Sequence, residues 1–319
     1  MFGGATSYVE TLDAILEFVH THHPTTDELL GWHRGAFDRV SSRESIMRRV
    51  EYLENVGFLA SEDDHWRLGT EGETYYPDYD RDMLTEIMCR RNLGLRSLLY
   101  ALLAGPMSIE EVGEQQLRAH AELGWNPENT DMAKQRTNWL RSLGLVDKEG
   151  QKFALTDDGR TFVEDALRKW TQEPPRAANQ LGAFSASTYE TTAVSRSIDP
   201  EFRATVIGEY DRQCPISGVD HRGLLDVAHV LSWSEYPDYR VDLGNVLPLS
   251  KTHHAAFDRQ LFTIDEDYRL RVDPGFKTES RLLRQTILDK AGDQVEPLQN
   301  NIRTEYLKRH NESVDWLAD

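Results

Sequence analysis

The chain has 319 residues, 39% of them apolar and 28% charged, which is length enough for two or three domains with real cores. Its apolar runs are only a few residues long, which excludes a membrane span, and the start MFGGATSYVE lacks the basic and apolar regions of a secretory signal. Cys89 and Cys214 are the only cysteines, far apart, so a reduced, cytoplasmic protein with no membrane partner is expected. The formal charge is −18, and of 36 basic residues only eight are lysine. An acidic, arginine-rich surface suits concentrated salt, and a halophilic protein that folds and works best at high KCl is expected. At about 1 M salt the Debye length is about 3 Å, so the negative net charge does not exclude nucleic acid there.

In chain order, the first feature is an internal repeat. The segment RRVEYLENVGFLASEDDHWRLGTEGETYY from Arg48 aligns without a gap on QRTNWLRSLGLVDKEGQKFALTDDGRTFV from Gln135, at an offset of 87. Leu53 meets Leu140, Gly57 meets Gly144, Trp66 meets Phe153 and Gly72 meets Gly159. In each copy, apolar positions at helical spacing run into a glycine suited to a left-handed cap, and a short hairpin pattern follows. Two helical stretches precede each copy, Tyr8 to Val19 with Asp27 to Trp32, and Leu84 to Leu103 with Ile109 to Leu117. Three helices and a hairpin resemble a winged helix, so residues 1–79 and 80–168 read as two of them in tandem.

That resemblance implies that the third helix of each copy is the DNA-reading one. Those helices carry Arg43, Arg48 and Arg49 in the first copy, and Lys134, Arg136 and Arg141 in the second. The first copy has the larger acidic excess, which makes the second the expected backbone binder. Trp32, Trp66, Trp125 and Trp139 have two readings, core or a base-reading pocket, and helical spacing favours core. His20, His22 and His23 have no carboxylate or cysteine at ligand spacing and read as a helix end. Residues 169–199, rich in Pro, Ala, Ser and Thr, read as a linker. FRATVIGEYD then reads as an amphipathic helix.

The chemistry lies in CPISGVDHRGLLDVAHVLSWSEYPDYRVDLGNVLPLSKTHHAAFDRQLFTIDEDYRLRV, from Cys214. LLDVAHVL alternates as a strand does and places His229 at its end. Neutral imidazole suits the activation of water for phosphodiester cleavage, so His229 is the expected general base. His254 and Asp258 stand four apart in a helical stretch and share a face, which lets both grip one ion. This stretch resembles an HNH nuclease domain, of the subgroup whose first motif is Ala-His and two apolar residues, with His229, Asn245 and His254 at the three lettered positions. The resemblance implies a ββα-metal fold, hence α+β overall, one divalent ion (Mg²⁺ or Mn²⁺), and double-stranded DNA as the partner. Asn245, expected in the loop between the strands and the helix, orients the histidine loop or joins the metal shell. The acidic position before the base histidine is Ala228 here, so the third ligand is open between Asp226 and His253. Cys214 has Ser217 where a zinc knuckle would have cysteine, and no structural zinc is expected. A helical tail follows Glu279. A nuclease domain joined to reader domains resembles restriction enzymes, including those that require methylated DNA; one such site cuts one strand, so a double-strand break asks for a homodimer or two nicks. The alternatives are a DNA-binding regulator with a vestigial nuclease domain, and a nicking enzyme of repair or mobile elements.

Overall fold

A computed structural model describes residues 6–37, 40–172 and 198–317. Most of the linker expected at 169–199 lies outside the described residues. The chain divides into two compact units, Met1–Val163 and Glu164–Asp319. Among the described residues, no helix is long and apolar enough to cross a membrane.

The first unit holds both copies of the repeat. Helices α1 (Tyr8–His22), α2 (Thr26–Ala36) and α3 (Arg43–Val56) lead into the hairpin β1 (Leu59–Glu62) and β2 (His65–Leu68), then α4 (Thr70–Tyr75). The second copy has α5 (Arg81–Arg91), α6 (Leu95–Leu102), α7 (Ile109–Ala119), α8 (Asp131–Ser142), β3 (Val146–Glu149) and β4 (Lys152–Leu155), followed by α9 (Asp157–Gln172). Helix α2 begins earlier than its apolar pattern because Thr25 and Glu28 form a reciprocal capping box. The stretch expected as one helix from Leu84 to Leu103 is two, broken at Gly94, whose φ is +83°.

The offset of 87 is structural. Leu59 pairs with Leu68 and Val146 with Leu155, and the other register pairs correspond in the same way. Gly57 and Gly144 both follow the helix that precedes the hairpin, α3 and α8, with positive φ, +97° and +78°. At Gly72 and Gly159 a Cβ would come within 2.2 Å of the Phe58 carbonyl oxygen and 1.9 Å of the Leu145 carbonyl oxygen. Glycine recurs there because the following helix must cross the hairpin's backbone at contact distance.

The copies pack against each other through α1 and α8. Tyr8 meets Trp139 edge-on at 5.2 Å, Tyr52 stacks on Trp139, and the Val9 amide donates to Ser142 Oγ at 2.9 Å. This contact buries Trp139 and Thr137, together with Gln135 and Arg136 on the same helix. Helix α8, expected to read DNA, is therefore largely core. Arg136 lies over the Trp125 ring at 4.9 Å. Arg49 is fully buried, donates to His33 Nε2 and sits over Phe37. The expectation that Arg49 and Arg136 face DNA is corrected here: both serve the interior. Arg43 and Arg48 are exposed on α3 and paired with Asp27 and Glu44; Lys134 is exposed beside Asp131, and Arg141 is mostly covered near Asp147. Trp66 and Trp139 are core, Trp32 stacks on Phe18 at 4.3 Å, and Arg136 lies over Trp125. His22 ends α1, stacked on Phe18, and His23 caps it.

The His33–Arg49 contact gives a pH prediction. Burial, and then the Arg49 charge, push the His33 imidazole down to about 4, because only the neutral ring can accept from the guanidinium. The unfolded chain takes up a proton near pH 6.5 that the folded chain refuses until about pH 4, so His33 lowers stability as pH falls through that window. His33→Gln keeps an acceptor and cannot titrate. Its melting temperature is expected to fall less than the wild type's between pH 7 and 4.5; an equal fall would remove this role.

The second unit is built on α10 (Pro200–Glu209), β5 (Leu225–His229), β6 (Val246–Ser250), α11 (Lys251–Asp258), β7 (Phe262–Ile264), β8 (Leu270–Val272), α12 (Arg281–Thr286) and α13 (Thr304–Asn311). β5 and β6 form an antiparallel pair, Leu225 opposite Ser250 and His229 opposite Val246, and α11 packs on both strands. Expected to be amphipathic, α10 is instead buried from Phe202 to Gly208 apart from Arg203, as a core helix against this sheet. Cys214 is buried in a turn, its carbonyl accepting from Gly218 and its amide donating to Val219. Phe257, Phe262, Leu249 and Ile302 belong to one core, which ties the helical tail to the strands.

Candidate active site

The end of β5, the loop that follows it, α11 and α13 converge on a cleft of ≈ 580 Å³, lined in part by His229, Trp233, His254, Asp258, Arg309 and His310. His229 Nε2 lies 2.8 Å from the Arg240 carbonyl oxygen. A carbonyl can only accept, so Nε2 carries the proton and Nδ1 keeps a lone pair. Burial is the main cause that drives this imidazole down to about 4, so it is neutral at pH 7. Its edge meets the Trp233 ring at 5.2 Å; Arg240 in turn lies over Trp233 and donates to the Trp233 carbonyl at 2.8 Å. His229 is thus held by a loop that folds back on itself.

Asn245 secures that loop. It ends the β5–β6 connection, one residue before β6, rather than lying between the strands and α11 as expected. Its side chain is fully buried: Oδ1 accepts from the Leu231 amide at 2.7 Å, and Nδ2 donates to the Leu231 and Tyr239 carbonyls at 3.2 and 2.9 Å. Both ends of the amide are occupied by backbone on either side of the loop that bears Trp233, the arrangement of a residue that orients the loop.

Helix α11 starts at Ser250, whose hydroxyl accepts from the His253 amide. His253 is fully buried, one ring nitrogen 2.7 Å from Ser250 Oγ and the other 2.8 Å from Thr286 Oγ1. It fastens α11 to α12 and has no nitrogen for an ion. His254, on the neighbouring face, has Nδ1 3.7 Å from Asp226 Oδ2 and Nε2 3.6 Å from Asp258 Oδ2. The two carboxylates are hard donors that suit Mg²⁺ or Mn²⁺, and the imidazole nitrogen is a borderline donor that first-row divalent ions also accept. Among the described residues, no three such groups already converge as an ion site. The geometry explains why: the carboxylates face opposite nitrogens, so in this rotamer an ion on one lone pair meets one of them. The donor chemistry fits a divalent cation.

Sequence reading missed four participants. Trp233 and Arg240 follow His229 closely, and their signal was an aromatic and an arginine within SWSEYPDYR. Arg309 and His310 come from α13, where nothing but a basic C-terminal turn marked them.

No curated protein and no solved structure matches the chain. Residues 214–265 match the family model described as HNH endonuclease. His229, Asn245, His254 and Asp258 all lie within that matched segment, which is similar to HNH endonuclease domains.

Proposed function

We propose that the protein is a metal-dependent DNA endonuclease that hydrolyses phosphodiester bonds with His229 as general base. The observation that carries this is the locked imidazole: Nε2 is committed to the Arg240 carbonyl, which leaves the lone pair on Nδ1, in a residue that lines the same cleft as His254 and Asp258. Nδ1 takes a proton from water; the water oxygen bonds to phosphorus, and the bond to the 3′ oxygen breaks with its electron pair on that oxygen. The chemistry that a divalent cation supplies there, held by His254 with Asp258 or Asp226, is neutralisation of charge on the phosphate and the departing oxygen. Trp233 and Asn245 keep the ring from turning.

The biological role proposed is a restriction or defence nuclease, with methylated DNA as a candidate substrate and a homodimer as one route to a double-strand break. The tandem winged-helix reading of the first unit supports it, with α3 rather than α8 as the presented helix, since Arg43 and Arg48 are exposed. The test is plasmid cleavage in high salt, with DNA from methylating and non-methylating hosts, Mg²⁺ or Mn²⁺, and a chelator. Cutting of the methylated plasmid alone supports modification dependence, and cutting of both removes that reader. DNA binding without cutting would put a regulator in the nuclease's place.

A metal prediction follows from the donor set. His254→Ala is expected to weaken Mn²⁺ binding, read directly by electron paramagnetic resonance, by at least the roughly 10- to 100-fold typical of losing even a ligand's supporting partner. Asp258→Asn should weaken it in the same direction. Unchanged Mn²⁺ binding in both variants would place the ion elsewhere.

A further inference from the structure

The cleft is short of positive charge for a site that must admit phosphates. Its lining includes Asp258 and Glu235, and Asp226 faces His254 beside it. Arg309 is the one lysine or arginine among the described lining residues. It lies on α13, outside the matched segment 214–265. Its guanidinium sits 4.5 Å above the Tyr236 ring, and it forms no ion pair among the described residues. Arg43, Arg67, Arg90 and Arg303, by contrast, are each paired with a carboxylate. An unpaired guanidinium parked on an aromatic face is pre-oriented and keeps its fork of donors available.

The helix that carries it is fixed from two sides. Tyr306 donates to Asp242 at 2.7 Å and the Arg303 amide to the Gly244 carbonyl at 3.0 Å, which ties α13 to the connection that ends in Asn245. Asn311 donates to the Ile264 carbonyl and accepts from Thr263, which ties it to β7. His310, the next residue of the helix, lines the same cleft and stacks on Phe257 at 4.9 Å, beside Asp258.

We infer that α13 completes the active site, with Arg309 binding a non-bridging oxygen of the DNA backbone at the cleft. The inference rests on the nuclease reading, but binding tests it separately. Three quantities decide it: the melting temperature, the cleavage rate with Mn²⁺, and the salt dependence of binding to a labelled duplex in the non-cleaving His229→Ala background. Arg309→Gln should leave the melting temperature unchanged, because the residue is exposed and unpaired. It should lower kcat/KM by about 100-fold, the usual loss for one charge-stabilising donor, with Arg309→Lys recovering most of it. In the His229→Ala background it should reduce the slope of log affinity against log salt by about one, the signature of one lost phosphate contact. An unchanged slope overturns the inference, whatever happens to the rate. A reduced slope in a protein that never cuts DNA keeps Arg309 as a phosphate contact and overturns the nuclease reading instead.

Discussion

His229→Ala is expected to lower the DNA cleavage rate by about 10³-fold, within the 10²- to 10⁴-fold range of a lost general base, and to leave duplex affinity unchanged. The two parts of that result come from different features. The rate falls because Nδ1 is the lone pair presented by a ring whose other nitrogen is committed to the Arg240 carbonyl. Affinity is retained because the neutral imidazole brings no charge to a phosphate; burial keeps it neutral down to about pH 4. His229→Gln should be as inactive as the alanine variant, since an amide can hold the loop but cannot take a proton. Single-turnover rates and equilibrium binding on one duplex separate the parts. A variant that cuts within tenfold of the wild type would remove His229 from the chemistry, and one that also loses binding would make it a structural residue.

How much of this was legible in the sequence differs by level. The repeat was readable to the residue, because Gly57, Gly72 and their partners answer a local demand: a left-handed turn and a backbone crossing. The positions of His229, His254 and Asp258 were readable because strand end and helix face follow from local spacing. The fates of Arg49 and Arg136 were not. Each lies on a helix where an arginine ordinarily faces water, and it is the aromatic rings of Phe37 and Trp125, with the packing of α1 on α8, that turn them inward. The choice between Asp226 and His253 also needed three dimensions. Adjacent residues on α11 point in different directions, and only the fold shows His253 spent on Ser250 and Thr286 while His254 faces Asp226. Arg309 lies about 50 residues beyond the helix of His254, and no local pattern joins them.

Asn245→Ala is expected to be the most destabilising single change in the second unit, by about 2–4 kcal/mol, because it strips partners from buried backbone groups that water cannot reach. The Leu231 amide loses its acceptor, and the Leu231 and Tyr239 carbonyls lose a donor. Asn245→Asp restores only the acceptor and sets a carboxylate against two carbonyl oxygens, so it should be no better. Activity should fall further than the lost folded fraction explains. Tyr239 adjoins Arg240, whose carbonyl fixes His229, and a misplacement of about 1 Å at a reacting group can cost about 100-fold. Chemical unfolding gives the first quantity, and cleavage under conditions where the variant is fully folded gives the second. Mn²⁺ binding by the folded variant then divides the two roles open for this residue. Unchanged affinity is the result expected of an amide whose donors and acceptor are all taken by the loop; a loss of affinity would return Asn245 to the metal shell.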